Sequence, residues 1–192
     1  MEISGARLYL LGGLILHKAV WEILKRRETR PQRAQNISLK SRILSIVKMI
    51  ILAGIVVQTL VPEIAPISND PQQLRITGLA IYTLGLLMAV VARLQLGRNW
   101  SDIEKSRVKQ DHALVAHGLY RWVRHPIYAG DLLLLLGLEL ALNSWAVVGV
   151  VVLIVYVRQQ AAREERALSD TLPGYEEYCR RTSRFLPGVP GL

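Results

Sequence analysis

The chain of 192 residues is 51% hydrophobic, carries a formal net charge of +9 and has a positive mean hydropathy. It is too apolar for an ordinary soluble domain of that size. A single cysteine, Cys179, excludes an internal disulfide framework and a cysteine-based zinc site. The basic residues flank apolar runs instead of forming one basic module with interleaved aromatics, which argues against nucleic-acid binding and for a membrane topology signal.

In chain order, apolar runs over residues 8–24, 43–61, 76–92, 127–142 and 145–157 predict five membrane helices in a single domain over residues 1–192. The first run is interrupted by His17 and Lys18 and continues to Trp21, so it is expected to remain as a membrane helix and not to be cleaved as a signal. Pro62, Pro66 and Pro71 predict a helix-breaking loop between the second and third runs. The fourth and fifth are separated by Asn143 and Ser144 alone, which predicts an antiparallel hairpin, and the fifth is expected to continue as a polar helix to Leu168. Segments 25–42, 93–125 and 158–192 hold seven, seven and six Lys/Arg, against none in 62–73 and 143–144. This alternation predicts an external N-terminus and a cytoplasmic C-terminus, with 93–125 and the tail on the same side.

Residues 112–128 concentrate His112, His117, His125, Arg121, Arg124, Tyr120, Tyr128, Trp122, Gly118 and Pro126 between two apolar runs. No other stretch is as dense in groups that bond, stack or carry charge. Gly118 permits close approach of the backbone to a ligand. Pro126 suits the first turn of the fourth helix, where Arg124, His125 and the free N–H groups would form an anion-friendly mouth. The histidine spacings of five and eight do not match a zinc-binding helix, so no metal is expected. Asp131 and Glu139 lie inside the fourth run, where ionisable groups are expensive and face the bundle interior or a watery cavity. Asp131 is therefore a candidate for contact with a ligand. On the fifth helix, Arg158, Arg163, Glu164 and Glu165 fall on the polar extension, with Arg158 and Glu165 seven residues apart on one face. The basic tail reads as folded over the site or lying on anionic lipid. Rossmann, P-loop, zincin and serine-hydrolase motifs are absent.

Leu114-Val115, Gly118-Leu119-Tyr120, Arg124-His125-Pro126-x-Tyr128, Glu164-Glu165-x-x-Leu168, Tyr175-x-x-Tyr178 and Leu186-Pro187 together resemble the C-terminal signature of the isoprenylcysteine carboxyl methyltransferase family. Gly97-x-Asn99-Trp100-Ser101 resembles it too, so the likeness covers about residues 94–190. The resemblance implies an all-α integral membrane bundle, with a cytoplasmic cofactor site formed by the last two helices and the tail. It implies transfer of a methyl group from S-adenosylmethionine to the carboxylate of a lipidic or prenylated acceptor. By that resemblance His112, Leu114, Val115, Gly118, Tyr120, His125 and Tyr128 hold the cofactor, Glu164 or Glu165 hydrogen-bonds it, and Arg158 or Arg163 orients the acceptor. A lipid amine N-methyltransferase shares much of this pattern, and its acceptor would need a base such as Asp131 or His125. A non-catalytic membrane adaptor is the reading from another class.

Overall fold

The computed structural model describes residues 5–28, 39–61, 66–99 and 113–189. Among them the fold is all-α: α1 (Gly5–Glu28), α2 (Leu39–Leu60), α3 (Gln72–Leu96), α4 (Pro126–Ala141), α5 (Val147–Ser169) and the short α6 (Tyr175–Arg181). Each apolar run lies in a helix that extends beyond it or begins or ends within two residues of it. As the sequence suggested, α5 runs on through its polar half, to Ser169. Gly97 ends α3 at φ 51°, its N–H bonded to the Arg93 carbonyl. Pro126 opens α4 as its first helical residue.

The centre of the bundle is the α3–α4 pair, which the hairpin reading of α4 and α5 did not anticipate. A Cβ placed on Gly78 would stand 2.3 Å from the Ala141 nitrogen, and one on Gly85 would stand 2.3 Å from the Leu134 nitrogen. From the other side, a Cβ on Gly130 would meet the Ala89 nitrogen at 2.6 Å, and one on Gly137 the Tyr82 nitrogen at 2.1 Å. The order of these contacts makes the two helices antiparallel. Small residues at heptad spacing on both helices let the backbones touch, a packing mode suited to a setting where apolar side chains gain nothing from leaving solvent. Leu10, Tyr82, Leu86, Leu134, Leu138, Ala141 and Leu142 build the core around this contact.

Polar bonds pin the remaining elements to that pair. Tyr82 donates its hydroxyl to the Leu10 carbonyl of α1 at 2.6 Å. Arg7 donates to the Gln58 and Thr59 carbonyls at 3.3 and 3.0 Å and also to the Val61 carbonyl, capping the C-terminal end of α2 with a cation. Glu139, almost fully buried, accepts from Gln58 of α2 at 2.7 Å, which gives this intramembrane acid a structural partner. At the turn between α4 and α5, Asn143 adopts φ 56° and is fully buried. Its side chain accepts from Ile67 N–H (3.2 Å) and Ser68 N–H (3.0 Å) and donates to the Ser68 carbonyl (2.8 Å). The two loops poor in basic residues therefore meet at one end of the bundle.

By length and composition, α3 is the one helix among the described residues that suffices to cross a membrane. The outward faces nevertheless match hydrocarbon better than water: Met49, Ile50, Leu87 and Val152 are 65%, 66%, 59% and 69% exposed on three different helices. A water-soluble bundle turns such side chains inward.

Candidate active site

At the end of the bundle opposite Asn143, three segments converge: the loop before α4, the polar half of α5 and the tail. The loop is laid against α3 first. Asn99 accepts from the Ala113 N–H at 3.0 Å, and Gln95 accepts from the Leu119 N–H at 2.8 Å. Gly118 sits at φ 59°, and a Cβ there would come within 2.4 Å of the Gln95 amide, so both conformation and space require glycine. From Ala113 to His117 the chain is non-helical and mostly exposed. A 3₁₀ turn, Gly118–Arg121, then carries the Tyr120 side chain into the interior.

The tail docks onto this loop by backbone and side chain together. Tyr178 of α6 donates its hydroxyl to the Tyr120 carbonyl at 2.6 Å. Val123 and Ser183 form a parallel bridge, with Arg124 N–H bonded to the Ser183 carbonyl (2.8 Å) and His125 N–H to the Arg184 carbonyl (3.0 Å). These two N–H groups are therefore spent on the tail. The Arg124 side chain is spent as well. It is 8% exposed, bonds Glu165 at 2.9 Å and donates to the Cys179 carbonyl (3.0 Å) and the Thr182 carbonyl at the end of α6.

Glu165 is the node of the resulting network. It accepts from Arg124, from Arg184 (2.6 Å to the closer oxygen) and from His125 Nε2 at 3.1 Å. Burial pushes its carboxyl up, but the hydrogen bonds from His125, Arg184 and Arg124 outweigh this and hold it well below the usual carboxylate range. The same contact raises the Arg184 guanidinium. Glu164 sits beside the node and is more open, with 28% of its side chain exposed. It accepts from the Tyr128 hydroxyl at 2.6 Å and lies 3.7 Å from His125 Nδ1. The His125 ring stacks on Tyr128 with centroids 5.4 Å apart and is flanked by Phe185 at 5.8 Å. His125 thus bridges two carboxylates and is clamped between two aromatic rings. Burial pushes the Tyr178 hydroxyl up to about 12 and also raises the Cys179 thiol, so both stay protonated.

The structure brings together His125, Tyr128, Glu164 and Glu165, with Gly118 and Tyr120 in the adjoining loop and Leu114 and Val115 on its exposed approach. His112, like Trp100 and Ser101, lies outside the described residues. Arg158 and Arg163 are exposed and take no part in the Glu165 network. Asp131 faces α1, where its carboxylate lies 2.9 Å from His17 Nε2. Sequence reasoning offered the tail with Arg184 and Phe185 as folded over the site but gave neither a partner, and it did not single out Gln95 or His17. Arg184 and Phe185 stand immediately before the quoted Leu186-Pro187, but nothing local marks a tail arginine as the partner of a carboxylate 19 residues earlier. Among the described residues no group of three or more His, Cys, Asp or Glu is placed to hold a metal ion.

Comparisons with known proteins bear on this end of the bundle. Residues 77–170 match the isoprenylcysteine carboxyl methyltransferase (ICMT) family. A protein-S-isoprenylcysteine O-methyltransferase of Schizosaccharomyces pombe is 30% identical over 117 residues, 59% of this chain and 50% of that protein. The cobalt-zinc-cadmium resistance protein CzcN of Cupriavidus metallidurans is 36% identical over 109 residues, 56% of this chain and 49% of its own. The chain spans about half the length of these two curated relatives. The solved structure of a eukaryotic intramembrane Ras methyltransferase ICMT shares the fold at a TM-score of 0.63, with 20% identity, over 98% of this chain and 70% of that one. The fold is therefore shared, and the matched region runs from α3 through the Glu164–Glu165 pair. Over residues 77–170 this chain is similar to the isoprenylcysteine carboxyl methyltransferase family, and it shares the fold of an intramembrane member of that family.

Proposed function

We propose that the protein is an S-adenosylmethionine-dependent methyltransferase that esterifies the carboxylate of a lipidic acceptor of the isoprenylcysteine type. The observation that carries this reading is the joining of His125, Tyr128 and Glu164 beside the open segment 113–117, at the basic end of an apolar bundle. In this reading the five long helices all cross the membrane, the N-terminus is external, and the site opens to the cytoplasm at the end rich in Lys/Arg.

The residues present fit the cofactor chemically. A partly open carboxylate, Glu164, suits a cationic or hydroxyl-bearing group, and the peptide groups of Leu114, Val115 and Gly118 can bond polar edges. His125 and Tyr128 offer a rigid aromatic wall, and Tyr120 fixes the loop through its carbonyl. His112 precedes this segment and completes the set that we assign to the cofactor. Glu165, with its oxygens taken by two arginines and His125, acts by holding the tail and α4 in place.

When bound, S-adenosylmethionine supplies an electrophilic methyl group. A carboxylate already carries its charge at neutral pH and needs no base, so the protein's contribution is positioning and exclusion of water. Of the two candidate arginines, Arg158 is the better placed to orient the acceptor. At about 100° per residue it borders the column of Glu165 and the buried Ala161, whereas Arg163 points to the opposite side of α5. Arg158 also stands where the apolar half of α5 gives way to the polar half, the level at which a lipid-anchored carboxylate would rest.

Isothermal titration of the detergent-purified chain with S-adenosylhomocysteine, followed by transfer of labelled methyl to a farnesylcysteine analogue, tests the reading. Micromolar binding and base-labile label on the analogue are expected. Absence of binding in folded protein would overturn it.

A further inference from the structure

A titratable pair outside the Glu165 network has no role in methylating a carboxylate. His17 of α1 and Asp131 of α4 meet at 2.9 Å across the bundle, 23% and 38% exposed. The contact fixes the tautomer: with Asp131 Oδ1 accepting from Nε2–H, the neutral ring keeps its lone pair on Nδ1. Trp21, one turn along α1, covers a face of the same ring at 4.0 Å and an interplanar angle of 21°, which holds the imidazole by its face. Asp131 lies three residues from Tyr128 on one side of α4, and Tyr128 bonds Glu164, so the pair is the inward continuation of the site.

A histidine oriented by a carboxylate is the arrangement of a general base. The Asp131 charge would attract an ammonium group. We infer that His17 and Asp131 equip the same pocket to methylate a lipid amine, with His17 as the proton acceptor and Asp131 as its positioning residue. This rests on the cofactor reading above and extends the acceptor class. In the step, a primary ammonium gives one proton to His17 Nδ1. The freed nitrogen lone pair forms the new N–C bond as the C–S bond of the sulfonium donor breaks. A methylammonium product and a neutral thioether result, and the proton on His17 passes to water.

The test uses the full chain in detergent with hexadecylamine and a farnesylcysteine analogue as parallel acceptors, and S-adenosylhomocysteine titration as an independent readout. The wild type is expected to methylate both acceptors. His17→Gln keeps a hydrogen-bonding side chain but cannot accept the proton, and Asp131→Asn removes the orienting charge. Each should lower the ratio of amine to carboxylate transfer by at least about a hundredfold, the lower range for loss of a general base, while S-adenosylhomocysteine still binds. Transfer to the carboxylate alone in the wild type, or a ratio that neither variant moves, would overturn the assignment. Loss of S-adenosylhomocysteine binding by the wild type is a separate failure, since it removes the cofactor reading itself.

Discussion

Gly137 faces Tyr82 so closely that a single added methyl carbon would lie 2.1 Å from the Tyr82 backbone nitrogen. Neither backbone can give way by itself, because both belong to regular helices on the axis of the bundle. Gly137→Ala is therefore expected to force α3 and α4 apart and destabilise the fold by about 1–3 kcal/mol, the range for overpacking a tight core. Thermal unfolding in detergent reads this as a lowered midpoint. Gly149→Ala provides the contrast, because that glycine lies in α5 with no atom near its missing side chain. There the gain in helix propensity, up to about 1 kcal/mol, should leave the midpoint level or raised.

Asn143 performs two tasks that can be separated. Asn143→Ala loses the bonds to Ile67 and Ser68 and also forces a residue with a Cβ to hold φ 56°. Asn143→Gly loses the same bonds but relieves the backbone. Both should lower the unfolding midpoint, with alanine worse than glycine by about 1 kcal/mol. Equal loss in the two variants would mean that the side-chain bonds carry the whole effect.

Tyr178→Phe removes the hydroxyl that bonds the Tyr120 carbonyl and leaves that buried acceptor without its partner. A cost of about 1–3 kcal/mol is expected. Because this bond joins α6 to the loop that carries Gly118, the variant should also bind S-adenosylhomocysteine more weakly and expose the tail to limited proteolysis. A normal affinity would show that the loop keeps its place without the tail.

Although burial pushes it up, the Glu165 carboxyl is held below its ordinary value of 4.5 by the hydrogen bonds from His125, Arg184 and Arg124. A depressed folded value means that its contribution is fully present above that pH and is lost as pH falls from there toward the folded value. Acid unfolding of the wild type should therefore steepen below about pH 4.5. Glu165→Gln should flatten that limb and lower stability at neutral pH by about 3–5 kcal/mol, because two buried arginine contacts lose their counter-charge. An acid limb identical in both proteins would place the titrating group elsewhere.

The existence and order of the helices and the grouping of the two basic-poor loops were legible in the sequence. Apolar runs, Pro126 and the polar extension of α5 are local signals, and a helix is closed by bonds four residues apart. The Lys/Arg-poor loops were read as sharing one side, and Asn143 bonded to Ser68 shows them together. Among the site residues, His125, Tyr128 and Glu164–Glu165 were named and do converge. The packing of α3 on α4 was not read, although Gly78, Gly85, Gly130 and Gly137 carry its spacing, because a heptad of small residues does not say which helix it faces.

Partner choice among the charges was decided by tertiary structure alone. Arg124, expected at an open mouth, is buried against Glu165, and Arg184 joins it from the tail. Asp131 turns to His17, 114 residues away, and Glu139 to Gln58. Each of these groups is costly in a low-dielectric interior until it meets an opposite charge or a donor. The sequence shows that such a partner must exist. Which one it is depends on the angle and depth at which the helices cross, and that is set by the contact of glycine-faced backbones in α3 and α4.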